Sequence, residues 1–198
     1  MNYKRNIGIL IFENVEVLDF AGPFEVFSVT SELNDNTLFN VFTIGEKLDP
    51  ILTVNGLSVN PKYDFKNCPN IDILIISGGS GTHREIKNKN TLDWIYKVHQ
   101  TSELTISICS GAMLLGRLGL LNGKPFCTHH TIYEKMKEIV PSGVPQKNER
   151  FVKTEKIYTS GGISAGIDLS FHLIEKLLDD KIAEKTATYM EYQRKKII

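Results

Sequence analysis

Three kinds of residue in this chain could do chemistry together: a cysteine at a sharp turn, a carboxylate, and a run of glycines. Cys109 lies in Thr105-Ile-Ser-Ile-Cys-Ser-Gly-Ala-Met-Leu-Leu-Gly116. Leu104, Ile106 and Ile108 alternate before it, and Ala112, Met113, Leu114 and Leu115 favour helix after it. A hydrophobic period that switches in this way across a cysteine reads as a nucleophile elbow, a strained turn that holds its side chain exposed above a sheet. Ser110, Gly111 and Ala112 are small and leave room for backbone and substrate to approach. A thiol there would sit at a helix N-terminus, whose unpaired N–H groups favour the thiolate, so a lowered pKa is expected. The alternative is a buried cysteine in a core strand, the commoner fate of a free thiol.

The candidate partners lie elsewhere in the chain. Asp19 sits in Asn14-Val-Glu-Val-Leu-Asp-Phe-Ala-Gly-Pro-Phe-Glu-Val-Phe27, a helical pattern expected to break at Gly22-Pro23, because proline opens a helix more readily than it continues one. A carboxylate just before that break would overhang the C-terminal edge of the first strand, where open parallel sheets place ligands. A capping or solvated Asp19, and a helix-face Glu25, are the alternatives. Ser77-Gly-Gly-Ser-Gly-Thr82 leaves an apolar run with its backbone N–H groups free to form an anion nest. It lacks the lysine and spacing of a phosphate loop, so Gly78 and Gly79 are read as oxyanion donors, or as a plain strand-to-helix turn. His129, the first of two adjacent histidines, could serve Cys109 as base or proton carrier; the alternative is one packed and one solvated ring.

Composition narrows the class. Lysine plus arginine equals aspartate plus glutamate, 23 each, so no overall field draws the chain to nucleic acid or an acidic membrane. The default partner is a small molecule. The early apolar run is too short for a signal peptide, and no stretch approaches a membrane span. Cys68, Cys109 and Cys127 are odd in number and widely spaced, which argues against a disulfide framework or a metal site and fits a reducing cytoplasm.

The elements that must position these groups can be read from apolar periodicity. Ile7-Gly-Ile-Leu-Ile-Phe12 and Ile71-Asp-Ile-Leu-Ile-Ile76 read as central parallel strands. Phe39-Asn-Val-Phe-Thr-Ile44 alternates as a strand, and Asn55-Gly56 between Leu52-Thr-Val and Leu57-Ser-Val signals a hairpin. Residues 90–101 have helical spacing, with Trp94 as core packing. Phe126-Cys-Thr-His-His130 is predicted as a short strand, 131–139 as a helix, and 151–153 and 157–159 as strands. Ser160-Gly-Gly-Ile-Ser-Ala-Gly166 is a second tight turn, which opens a helix over 167–178. A last helix over 183–194 is expected to end in a solvated basic tail. Strands alternating with helices throughout 198 residues argue for a single α/β domain, a three-layer sandwich around a mainly parallel sheet.

Leu18-Asp-Phe-Ala-Gly-Pro-Phe-Glu-Val26, Ser77-Gly-Gly-Ser-Gly81, Ile108-Cys-Ser-Gly-Ala112, Thr128-His129 and Thr159-Ser-Gly-Gly-Ile-Ser-Ala-Gly-Ile-Asp168, taken together and in order, resemble the isonitrile hydratase branch of the ThiJ/PfpI superfamily. The resemblance implies a flavodoxin-like fold similar to class I glutamine amidotransferases, a Cys109 nucleophile, Asp19 as its acidic partner, and Ser110 in a place usually held by threonine. It also implies a homodimer and no cofactor. Peptidase-like members carry histidine directly after the cysteine, which Ser110 replaces. Some relatives are regulators with an added helix-turn-helix, for which this chain is expected to have no room. The implied reaction is hydration of an isonitrile to an N-substituted formamide. Its alternatives are another cysteine-dependent enzyme of the superfamily acting on an amide, ester or reactive carbonyl, or a redox or small-molecule sensor whose thiol is oxidised or occupied without turnover.

Overall fold

The computed structural model describes residues 3–194. In chain order the elements are β1 (Arg5–Leu10), α1 (Val17–Glu32), β2 (Phe39–Gly45), β3 (Ile51–Leu52), β4 (Ser58–Val59), β5 (Tyr63–Asp64), β6 (Ile73–Ile76), α2 (Thr82–Glu85) and α3 (Lys89–Thr101). There follow β7 (Leu104–Ile108), α4 (Ala112–Arg117), β8 (Pro125–Phe126), α5 (Tyr133–Ile139), β9 (Val144–Pro145), β10 (Phe151–Thr154), β11 (Ile157–Ser160), α6 (Ala165–Leu177) and α7 (Asp180–Tyr189). Among the described residues the main sheet has the order β10-β11-β7-β6-β1-β2-β5. Every pairing in it is parallel except β10 with β11, so the three-layer α/β expectation holds.

The apolar runs form the centre because strands covered on both faces need no polar alternation. Ile7, Ile9, Ile73, Leu74 and Ile76 are buried in β1 and β6, and Ile106 and Ile108 in β7. Helices α1, α6 and α7 pack on one another over one face; α2, α4 and α5 cover the other. Phe27, Phe42, Phe126 and Phe171 are among the largest fully buried side chains, each stabilising the fold by roughly 1.5–3 kcal/mol through burial. The register aligns Leu10 with Ile76 and Ile76 with Ser107, so β1, β6 and β7 end level and deliver their loops to one edge. The β3–β4 pair is the expected hairpin, with Gly56 at φ 82°. No helix of the described residues is long and apolar enough to cross a membrane.

Several local expectations are corrected. Helix α1 does not break at Pro23, which lies buried inside it. The missing N–H leaves the carbonyl four residues back, that of Asp19, without its helical donor. Close packing against α6 holds the helix together, since a methyl group built on Gly22 would lie 2.9 Å from Ile167 Cγ1. The strand expected at 126–130 is only Pro125–Phe126, and His130–Ile132 is a 3-10 turn. The last helix ends at Tyr189, and Arg194 is not solvated: its guanidinium is buried against Glu175 at 2.6 Å and Asp180 at 2.7 Å. The remainder of the basic tail lies outside the described residues.

Candidate active site

The elbow forms where β7 ends. Cys109 opens a 3-10 turn, Cys109–Gly111, that runs into α4, and its φ is 57°. A non-glycine residue in the left-handed region costs of order 1–3 kcal/mol and persists only where its surroundings fix it, and such strain gathers at functional turns. Three contacts fix it here. The Cys109 N–H donates to Gly161 O at 3.2 Å, and the Cys109 carbonyl accepts the Thr128 hydroxyl at 2.7 Å. Gly111 passes so close to β6 that a methyl group on it would lie 2.4 Å from Ile76 O.

Asp19 comes from the first turn of α1 and is fully buried. Its Oδ2 accepts the Gly78 N–H at 3.1 Å and its Oδ1 the Ile163 N–H at 2.9 Å. The carboxylate lies beside Cys109: a methyl group built on Gly78 would lie 2.7 Å from both Asp19 Oδ2 and Cys109 Cβ, and each side chain bears on the titration of the other. Burial pushes Asp19 up to about 6, against the pull of the Ile163 amide, the thiol and the Gly78 amide. The thiol is pushed up to about 12, first by burial and then by the neighbouring carboxylate, with the Ser110 amide and hydroxyl opposing. Both groups resist charge, so at neutral pH the pair holds one proton and one negative charge between them. The lowered thiol pKa expected of a helix N-terminus is therefore corrected. The following helix, α4, is only six residues long, and Cys109 is only 8% exposed, so desolvation outweighs the dipole.

Ser110 and the two glycines are close to the pair but not in the expected arrangement. The Gly78 N–H is committed to Asp19, and the Gly79 N–H donates to Ser110 Oγ at 2.9 Å. The Ser110 hydroxyl donates to Gly79 O at 3.0 Å, and its proximity to the thiol opposes the upward shift there; with a single proton it serves one acceptor at a time. Gly78 is glycine for space: a methyl group there would lie 2.7 Å from Asp19 Oδ2, Cys109 Cβ and the Ser110 nitrogen. His129 does flank the site. A methyl group on Gly162 would meet both the His129 ring, at 2.4 Å from Cδ2, and the Cys109 sulfur, at 3.1 Å. His129 Nδ1 is turned to the Thr131 hydroxyl at 2.9 Å, and burial followed by the His130 charge pushes its pKa down, so it is neutral near pH 7. Glu25 has no contact with the pair among the bonds described above.

Sequence reading missed three contributors: Gly162, which walls the sulfur; Ile163, whose amide holds Asp19; and Glu16, whose charge raises the pKa values of both Asp19 and His129. The small-residue turn at 160–166 was the available signal for the first two. Leu18 and Ile163 leave apolar surface beside the site, 43% and 39% exposed.

Comparisons with known proteins place the fold in a family. The sequence profile of the DJ-1/PfpI family matches residues 5–176. Isonitrile hydratase of Pseudomonas putida is 30% identical over 186 residues, covering 94% of this chain and 78% of the relative. The HTH-type transcriptional regulator GbdR of Pseudomonas aeruginosa is 24% identical over 96% of this chain, which spans 51% of that regulator. Among solved structures, a ThiJ/PfpI family protein from Pseudomonas syringae superposes with a TM-score of 0.87 at 24% identity, covering all of this chain and 78% of that one.

Proposed function

The chain belongs to the DJ-1/PfpI family, and from that premise we propose that it is a cysteine-dependent isonitrile hydratase, adding water to R–N≡C to give R–NH–CHO. The observation that carries the reading is the strained Cys109 with its thiol against a buried carboxylate, in a chain 30% identical to an isonitrile hydratase. The Cys109 sulfur attacks the terminal isonitrile carbon while the proton shared with Asp19 passes to that carbon, giving a thioimidate, Cys109–S–CH=N–R. Asp19, left as the carboxylate, takes a proton from water as the oxygen adds to the same carbon, and returns it to nitrogen. Collapse of the adduct breaks the C–S bond, forms the formamide carbonyl and restores the thiol. The Ser110 amide, which reaches the sulfur, supports the charge that develops beside it. Gly78 and Gly79 contribute by holding Asp19 and Ser110, and neutral His129 closes one wall. The scheme draws only on the chain's own groups and water, in a compartment such as the cytoplasm that keeps Cys109 reduced.

Formamide production from a panel of alkyl and aryl isonitriles tests it. Cys109→Ala is expected to abolish turnover, and full activity in that variant would overturn the reading. The regulator relatives favour a second reading, a sensor domain. No turnover by the native chain, with stoichiometric oxidation of Cys109 to the sulfinic acid, would establish it. The proposal includes a homodimer that covers the apolar surface at Leu18 and Ile163. Light scattering is expected to give twice the chain mass of 22.3 kDa, and a monomeric mass at working concentration would remove that part.

A further inference from the structure

Ile163 presents a problem that the site does not solve by itself. It is β-branched and sits at φ 58°, a conformation such residues rarely adopt, yet its N–H is one of the two amides that hold the Asp19 carboxylate. Something outside the pair must keep the 161–163 turn in place.

The structure offers one set of contacts that does so. Arg150, half exposed at the approach to β10, reaches the turn from two sides. Its backbone carbonyl accepts the Gly161 N–H at 2.9 Å, and Gly161 O in turn accepts the Cys109 N–H. Its guanidinium donates through Nε to Asp168 Oδ2 at 2.8 Å, forms an ion pair with the same oxygen through Nη2, and reaches Ser164 Oγ at 3.3 Å. Asp168, nearly buried in the first turn of α6, has its other oxygen occupied by the Tyr192 hydroxyl at 2.6 Å. Arg150 thus joins both ends of the turn, with Asp168 as the fixed point. Two guanidinium nitrogens converge on one carboxylate oxygen while the tyrosine holds the other, so the bonds to the charged group are strong and the arginine's direction is set.

We propose that Arg150 and Asp168 are positioning residues for the Cys109–Asp19 pair, holding the 161–163 turn whose backbone groups orient both side chains. This rests on the reading that the two residues act together, and it does not depend on the substrate being an isonitrile. It also has a sign. The Ile163 amide favours ionised Asp19, so a looser turn raises the pH at which the pair gives up its first proton. An exposed arginine contributes little to global stability, so the effect belongs at the site more than in the melting temperature.

The test is the pH dependence of iodoacetamide alkylation at Cys109, located by mass spectrometry, in the native chain, Arg150→Gln, Asp168→Asn and Asp19→Asn. In the native chain the rate is expected to rise through an acid limb near pH 6, where burial and its opposing hydrogen bonds place Asp19. Arg150→Gln is expected to move that limb upward by about one pH unit, the scale of losing most of one hydrogen bond to a charge. Asp168→Asn should move it the same way, and Asp19→Asn should remove it. A melting temperature lowered in Arg150→Gln and Asp168→Asn with the limb unmoved would overturn the positioning role and leave the pair intact. A profile untouched by Asp19→Asn would overturn the pair itself, and the positioning role with it. If Asp168→Asn fails to fold, Arg150→Gln alone decides.

Discussion

Cys109 and Cys127 are both buried thiols, and burial pushes both up to about 12. Their backbone and hydrogen-bond partners differ. Cys127 follows β8 in unstrained backbone, is 0% exposed, and donates its S–H to Thr159 O at 2.8 Å while its N–H donates to Thr159 Oγ1. Each of those acceptors is neutral, so the Cys127 proton has nowhere to go. Cys109 stands at φ 57° with the sulfur against a carboxylate and one wall open enough to leave it 8% exposed. A displaced thiol pKa therefore does not tell the two apart. The neighbouring carboxylate and the left-handed backbone, found only at Cys109, do, and on the reading proposed above they are what a nucleophile requires.

Labelling both thiols at once should give the largest difference between them. In a Cys68→Ser background, which removes the partly exposed third cysteine, iodoacetamide is expected to modify Cys109 in the folded protein and to reach Cys127 only through unfolding. Opening equilibria of small domains put that second rate lower by a factor on the order of 10³ or more. Comparable rates at the two positions, read by peptide mass spectrometry, would mean that the two thiols are equivalent.

The same pair shows what a sequence can carry. The elbow at Cys109 was legible because its neighbours change period, and the strands ending at Leu10, Ile76 and Ile108 were legible as apolar runs; these are local signals. Cys127 was not legible as structural, since its partner Thr159 lies 32 residues away and no spacing announces it. The long-range parts of the site were hidden for the same reason. Asp19 is legible as a candidate, but not that its two amides come from the loop after β6 and from the turn after β11. Pro23 was misread because local propensity says break while packing of α1 on α6 says continue. The direction of the Cys109 shift was misread because a helix end is visible in sequence and burial is not.

A smaller and sharper effect separates the thiols through Asp19, the group that only Cys109 possesses. Its folded pKa of about 6 lies above the ordinary carboxylate value of 3.8. In that interval the folded state binds more protons than the unfolded chain, so the native protein loses stability as pH rises from about 4 to 6 and stays at the lower level above it. The shift corresponds to about 3 kcal/mol. Asp19→Asn removes this term. It also leaves one of the Gly78 and Ile163 amides facing an NH₂ group, a cost of about 1–3 kcal/mol that does not vary with pH. Absolute stability is therefore a poor readout, and the slope is a good one. Urea unfolding at pH 4.5 and 7 is expected to show the native chain falling relative to Asp19→Asn by most of that 3 kcal/mol. Cys127→Ala, by contrast, should run parallel to the native chain across the same interval. Parallel behaviour of Asp19→Asn would mean that the carboxylate is not held against charge. Cys109 would then lose the one feature that sets its proton apart from that of Cys127.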